Sequence, residues 1–323
     1  MSQKSAPYKK ALIYLHISVF LWGFTAVLGK LISYGSINLV WHRMLFTAAI
    51  YLMFPSVWKS LKTIDPKNLL RFLGIGIIVC LHWLTFYGSI KLGNSVSVTL
   101  ACLGSASFFT SIFEPILLNQ KFKIQDVFSG LIVIMGVSLI SYSLSTDSSV
   151  PHPYTSAIIV GVLSAALAAL FSTLNKKFIE TENPLTISAI EMLSGAGLLS
   201  IFILFGGHHF ISNETLILIP NFEPQQFQIS NLQNGALDLV WVAILSILCT
   251  NLTFYLATTS LKQLSAFTAN LTVNLEPIYG ILLGIIIFKE NNDLNMSFYI
   301  GTGIILAAIF LNSISQSVRK KKG

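Results

Sequence analysis

Ionisable and amide side chains occur in the middle of long apolar stretches, where they are candidates for chemistry. Glu276 lies about ten residues into the apolar run 266–288, so we expect it near the middle of a bilayer. Pro277 removes a helical hydrogen bond beside it, and Asn270 and Asn274, four residues apart, share one helix face. This pattern is typical of a substrate or proton site. The alternative is a glutamate that only hydrogen-bonds a neighbouring helix.

Arg43 and Glu191 are two further charged residues inside apolar runs. They occur in the second and the seventh run, and an ion pair between them is one interpretation. The alternatives are that Arg43 extends toward the outer surface or binds an anionic group of a substrate. Lys30 lies close to the end of the first run, so we expect its ammonium group to extend to the membrane interface.

Aromatic side chains occupy matching places in different runs. Trp83 and Tyr87 share a face of the third run, and Asn251 and Tyr255 share a face of the eighth. Aromatic walls with hydrogen-bonding tips suit an organic solute, whereas an interfacial or core position is the alternative. Trp22 lies too deep in the first run for the interfacial belt, so we expect it to line a cavity. His82 precedes Trp83; a lone histidine in a membrane is more often a core residue. The candidate contacts for a substrate are Trp22, Arg43, His82, Trp83, Tyr87, Asn251, Tyr255, Asn270, Asn274 and Glu276.

Composition restricts the class of protein that can carry these residues. Of 323 residues, 54% are hydrophobic and only 10% are charged, with a mean hydropathy of +0.73. Soluble proteins carry about a quarter charged residues, so a soluble enzyme, a disordered protein and a nucleic-acid binder are all disfavoured. A membrane span needs roughly 20 apolar residues. We predict an all-α membrane protein with ten spans, near 11–33, 38–58, 69–90, 94–118, 125–145, 154–178, 184–206, 239–261, 266–288 and 296–317.

Lysine and arginine predict the orientation of these spans. With the N-terminus in the cytoplasm, 16 of the 20 basic residues fall in cytoplasmic segments and only Lys91 and Lys289 in outer connections. This bias obeys the positive-inside rule. We therefore expect both termini in the cytoplasm and a multi-pass protein of the cytoplasmic (inner) membrane.

Short matches between the two parts of the chain indicate an internal repeat. Residues 84–87 and 252–255 both read Leu-Thr-Phe-Tyr, in the third and the eighth span. Repeats of five spans enter the membrane from opposite sides, because five is odd. We expect two inverted repeats, residues 1–147 and 148–323, the arrangement that lets a midplane site face either side.

On these residues the chain resembles the drug/metabolite transporter superfamily, EamA type. The resemblance is carried by Trp22-Gly23, Lys30 and Arg43 in the first half, and by Glu276-Pro277 and Glu290 in the second. It implies a central cavity between the halves and export of amino acids, metabolites or drugs.

The first half departs from the pattern of that family. Gly104-Ser105-Ala106-Ser107 occupies the middle of span four, Glu114-Pro115 lies nearer its cytoplasmic end, and Lys121 stands where a glutamate is usual. The two halves are therefore not expected to play equal parts.

The predicted function is secondary active transport of small organic solutes by alternating access. The candidate residues for coupling are Glu276 and Glu191. A proton or counter-substrate gradient is the expected driving force, because the sequence has no P-loop for ATP. The three cysteines and the histidines show no metal-ligand spacing, so no metal or cofactor is expected. The predicted partners are a small-molecule substrate and the lipid bilayer, without nucleic acid, and the protein is a monomer or a homodimer. A membrane-embedded enzyme and a passive facilitator are the alternatives.

Overall fold

The computed structural model describes residues 6–146, 154–178, 182–207, 232–261, 263–264, 268 and 272–320. Within these ranges the chain is helical and contains no β-strand. The predicted boundary between the halves, at residues 147 and 148, lies outside the described residues, and so does the candidate Asn270.

Thirteen α-helices are labelled here in chain order. Short π-helical segments cover Ile203–Gly207 and Ile247–Leu252, and a 3₁₀ turn covers Glu290–Asn292. The α-helices are α1 Ala6–Leu31, α2 Ser36–Leu52, α3 Pro55–Leu61, α4 Pro66–Gly93, α5 Val96–Leu103, α6 Ala106–Leu117, α7 Ile124–Thr146, α8 Thr155–Phe178, α9 Pro184–Phe202, α10 Leu232–Ser246, α11 Thr253–Leu261, α12 Glu276–Phe288 and α13 Met296–Lys320.

Seven spans in the described part of the chain are long and apolar enough to cross a bilayer. They include α1, α4, α7 and α8, and each coincides with a predicted span. The α2–α3 pair passes this criterion only when its two bent parts are taken together, and α12 and the apolar part of α13 are shorter. Apolar helices of this number and length place the chain in a lipid bilayer. The total of ten spans stays a prediction.

The second span was predicted to continue to residue 58, and this boundary is wrong. Helix α2 ends at Leu52, and α3 turns away from it by 92°. Phe54 is extended, with φ −87° and ψ 121°, because the residue before a proline avoids the helical region. Pro55 then begins α3, where its missing N–H is not needed.

The helix ends meet in two groups, which define two ends of the molecule. The end of α1 contacts the end of α4 and the start of the turn after α12, where Lys30 meets Asn94 and Glu290. We call this the Lys30 end. At the opposite end, Lys176 of α8 meets Glu114 of α6. We call this the Lys176 end.

Close helix contacts hold the bundle together around α4, which packs against α8 and α9. Gly76 of α4 lies directly against the backbone of Glu191, and a Cβ atom there would stand 2.4 Å from the Glu191 carbonyl oxygen. Only glycine permits this approach, because any side chain would overlap the facing backbone. The packing fixes the depth at which Glu191 enters the bundle.

Candidate functional site

A cavity of about 800 Å³ lies in the interior of the bundle. It extends from Trp22, Arg43 and Glu276 in the interior to Glu114 and Lys121 at the Lys176 end. None of its described lining residues belongs to the contacts that close the Lys30 end. The predicted site residues that line it are Trp22, Arg43, His82, Trp83, Glu191, Asn274 and Glu276.

Arg43 is held on three sides by uncharged groups. Its Nη1 donates to the Tyr87 hydroxyl at 2.6 Å, and its Nε and Nη2 donate to the Thr250 Oγ1 at 3.2 and 2.9 Å. The guanidinium carbon lies 3.7 Å from the centre of the Trp83 ring, a cation–π contact. Arg43 is only 4% exposed, and it has no ion-pair partner among the described residues. A buried positive charge therefore faces the cavity without forming an ion pair in the described part of the chain.

Glu276 is the first residue of α12 and also lines the cavity. Pro277 stands in the first turn of this helix, so the sequence break predicted there coincides with a helix start. The Glu276 carbonyl approaches Gly23 of α1, where a Cβ atom would lie 3.1 Å from it. Within the described ranges the carboxylate has no hydrogen-bond or ion-pair partner. Its surroundings leave it available to a solute or a proton.

Glu191 lies in the same cavity wall, 5% exposed, on α9. Its Oε1 atom is buried and has no hydrogen-bond partner among the described residues. The ion pair with Arg43 that the sequence left open is not formed in this structure, in which neither residue has a charged partner in the described part of the chain. The cavity thus contains separated charges of both signs.

Three predicted aromatic residues lie in the cavity wall, two held by hydrogen bonds and one by a cation–π contact. The Trp22 indole nitrogen donates to the Thr253 Oγ1 at 3.0 Å. The His82 Nδ1 lies 2.9 Å from the Ser164 Oγ, and Trp83 supports Arg43. The Trp22 indole nitrogen and the His82 Nδ1 are bonded to the protein, so these two residues offer mainly their ring surfaces to a solute.

Three other predicted contacts do not line the cavity. Tyr87 is fully buried behind Arg43, and its hydroxyl is occupied by the guanidinium. Asn251 bonds the Ser246 carbonyl of its own helix at 2.9 Å. Tyr255 is 62% exposed on the outer surface of α11. A substrate contact by Asn251 or Tyr255 stays a prediction, since neither residue lines the cavity described here.

The Lys30 end is closed by a buried carboxylate. Glu290, 1% exposed, accepts hydrogen bonds from Lys30 Nζ at 2.9 Å and from the backbone N–H groups of Val96 and Ser97 at 2.8 and 2.9 Å. Ser95 Oγ adds a fourth at 3.1 Å. Lys30 therefore pairs with Glu290, and the expectation that it extends to the interface was wrong. We call these residues the Glu290 lock.

Two physical features stabilise the Glu290 lock. The negative charge stands at the N-terminus of α5, where unpaired N–H groups and the helix dipole favour an anion. Burial alone would raise the pKa of Glu290, but the hydrogen bond and charge of Lys30 and the Ser97 N–H outweigh it and hold the pKa below its usual value. Lys289, in the left-handed region with φ 56°, ends α12 and directs Glu290 toward α5.

The Lys176 end is held less firmly. The Lys176–Glu114 ion pair, 2.6 Å long, has side chains that are 57% and 32% exposed. An exposed pair of this kind contributes roughly 0–1 kcal/mol. Lys121 lines the cavity at this same end.

Sequence reasoning missed Thr250, which binds Arg43, and the roles of Ser95, Val96 and Ser97 around Glu290. A threonine in an apolar helix gives little signal, and backbone donors give none. Only Glu290 was marked beforehand, through its place in the resemblance.

A polar cavity inside long apolar helices, closed at one end, defines a multi-pass membrane transport protein that acts on small molecules. The model of the EamA-like transporter family matches the chain twice, over residues 9–142 and 155–314. The chain therefore belongs to the EamA-like transporter family.

Curated relatives agree with this class. The "Uncharacterized transporter YxxF" of Bacillus subtilis (strain 168) is 24% identical over 310 residues, which are 94% of this chain and 89% of that protein. An "Uncharacterized transporter" of Archaeoglobus fulgidus is 26% identical over 194 residues, 58% of this chain and 65% of that protein. One crystal structure of a protein covers 98% of this chain and 99% of its own, with a TM-score of 0.56 and 13% identity, which establishes likeness of fold alone.

Proposed function

We propose that this protein is a secondary active transporter that exports small organic solutes by alternating access, driven by a proton or counter-substrate gradient. One observation carries the proposal. Arg43 and Glu276 line one cavity, each without an ion-pair partner among the described residues, and the Glu290 lock closes the Lys30 end of that cavity. Such an arrangement suits a solute site that is open to one side of the membrane at a time.

Two inverted repeats, residues 1–147 and 148–323, provide the two faces of this site in the proposal. The two separate matches of the family model support them, as does the odd number of five predicted spans in each. The distribution of lysine and arginine supports a cytoplasmic position for both termini and for the Lys176 end, in the cytoplasmic membrane.

Export is the direction that the family resemblance implies, and the described conformation is compatible with it. The cavity reaches the Lys176 end, where Glu114 and Lys121 line it, so the described conformation accepts solute from the cytoplasmic side. Opening the Glu290 lock while the Lys176 end closes then releases the solute outward. Arg43 recognises an anionic group, Glu276 exchanges the coupling proton, and Glu191 is the second candidate for that exchange.

The decisive experiment measures transport and its coupling separately. Cells with and without the chain are screened for efflux of a metabolite panel, and the transported solute is then followed in proteoliposomes with an imposed pH gradient. Glu276→Gln is expected to abolish gradient-driven flux and to spare solute exchange, because a neutral amide binds solute but carries no proton. Glu182→Gln is the control, since Glu182 contacts Ser60 outside the cavity.

Each alternative has its own outcome in the same vesicles. Equal loss of flux and exchange in Glu276→Gln, or loss of neither, contradicts the coupling role. Flux that never accumulates solute against a gradient identifies a passive facilitator. If the purified protein translocates no solute of the panel, the proposal that it transports these solutes is contradicted, and the enzyme alternative is favoured.

A further inference from the structure

Arg43 is oriented by a π-helical segment, the least regular part of the described helices near the cavity. In the segment Ile247–Leu252 the backbone repeat is wider than in an α-helix, and such segments are frequent at functional sites. Thr250 lies in the middle of it. The Thr250 hydroxyl donates to the carbonyl of Leu245, five residues earlier, at 3.1 Å.

That single hydroxyl is fully used. Because its proton goes to Leu245, both acceptor positions of the Thr250 oxygen are available, and both receive Arg43 donors, Nε and Nη2. Ser246 adds a second connection, since its Oγ donates to the Arg43 backbone carbonyl at 3.3 Å. Thr250 of the segment and Ser246, the residue just before the segment, therefore hold the Arg43 side chain and its backbone at once.

The remaining donors of Arg43 are few and defined. A guanidinium has five N–H donors, of which three are used by Thr250 and Tyr87. One N–H on Nη1 and one on Nη2 have no partner among the described residues. Since Trp83 covers a face of the guanidinium, the group cannot turn to satisfy these donors without losing its contacts. Free guanidinium donors of this kind match an oxyanion such as a carboxylate or a phosphate.

We propose that Thr250 is the positioning residue that fixes the Arg43 guanidinium, so that its two remaining N–H donors bind an oxyanion group of the transported solute. The orientation of Arg43 is a property of the free protein. The oxyanion part deepens the proposed function and rests on it. The class of solute is thereby narrowed to molecules that carry a carboxylate or a phosphate.

The first test observes Arg43 directly and needs no transported solute. The chain has only three arginines, Arg43, Arg71 and Arg319, so protein labelled with ¹⁵N-arginine gives at most three Nε–H signals by NMR. We expect one slowly exchanging signal, assigned to Arg43 by its absence in Arg43→Lys. Thr250→Val removes the acceptor and is expected to accelerate its exchange at least tenfold, whereas Thr250→Ser preserves the slow exchange.

A matched control separates this effect from a general loosening of the helix. Thr258→Val makes the same change on α11, where, within the described residues, the Thr258 hydroxyl bonds only the carbonyls of Phe254 and Tyr255 in its own helix. It is expected to leave the Arg43 signal unchanged. Fast exchange in the unaltered protein, or slow exchange that persists in Thr250→Val, overturns the positioning role.

The second test addresses the oxyanion. Acetate and inorganic phosphate are titrated separately into the labelled protein, with sodium chloride as the ionic-strength control. A shift of the Arg43 signal with acetate alone assigns a carboxylate, and a shift with phosphate alone assigns a phosphate. A shift with chloride alone, or no shift with any of the three salts, overturns oxyanion binding. In vesicles, Thr250→Val is expected to raise KM for the transported solute about tenfold with rescue by Thr250→Ser. Absence of transport by the unaltered protein contradicts the proposed function but not the NMR result.

Discussion

Removal of the Glu290 charge is the perturbation that most directly separates the two ends of the molecule. Glu290→Gln keeps the shape of the side chain but replaces one carboxylate oxygen by an amide group. Each carboxylate oxygen accepts a backbone N–H, from Val96 or from Ser97. The amide nitrogen of glutamine is a donor, so it would face one of these N–H groups without forming a hydrogen bond. Lys30 also loses its ion-pair partner.

The size of the effect follows from the burial of these groups. Breaking a buried ion pair by removing one partner costs roughly 3–5 kcal/mol. Lys30 keeps 14% of its side chain exposed while that of Glu290 keeps 2%, so we take the lower limit, about 3 kcal/mol. If this energy is present only when the Lys30 end is closed, its loss raises the open population about 100-fold.

An introduced thiol reports the open population. Leu100 is fully buried on α5, one turn from Ser97, and its side chain packs against Gly280 of α12. In a Leu100→Cys background, labelling by a membrane-impermeant maleimide is expected to accelerate about 100-fold on Glu290→Gln. The native cysteines are all buried and give the background rate in the unaltered protein.

Two controls make the result interpretable. Asp293→Asn removes an exposed charge in the same connection and is expected to leave the labelling rate unchanged. Lys30→Gln removes the other partner and is expected to accelerate labelling in the same direction. Unchanged labelling in both Glu290→Gln and Lys30→Gln, with melting curves that show folded protein, refutes the assignment of these residues as a lock.

Two further predictions concern stability. The pKa of Glu290 lies below its usual 4.5, so its contribution is complete above that pH and is lost as the pH falls through the lowered value. The difference in Tm between the unaltered protein and Glu290→Gln is therefore expected to shrink below pH 4.5, and a difference that grows on acidification contradicts this. Gly76→Ala places a methyl group against the Glu191 backbone and is expected to cost about 1–3 kcal/mol, seen as a lower Tm. Gly74→Ala, where a Cβ meets nothing within 4 Å, is the control, and equal effects of the two contradict the packing.

Much of the cavity wall was predictable from residue type and depth. An ionisable or large polar side chain in an apolar helix must face the bundle interior, so Arg43, Glu191 and Glu276 could be placed there from the sequence. The orientation of Tyr255 on the outer surface could not be predicted, because the sequence does not reveal where a helix contains a π-helical segment. The α2–α3 bend at Pro55 had a local signal, since a proline near the end of an apolar run is typical of a kink or a stop.

The sequence by itself determined the class: its hydropathy and few charges demand a bilayer, and its motifs indicate the transporter family to which it belongs. The tertiary structure alone decided which charges meet. Lys30 and Glu290 are 260 residues apart and pair at one end, whereas Arg43 and Glu191 do not pair. The physical reason is that hydropathy is a property of each segment, while a hydrogen bond depends on the register between segments. That register is set by packing contacts such as Gly76 on Glu191, which only the folded chain contains.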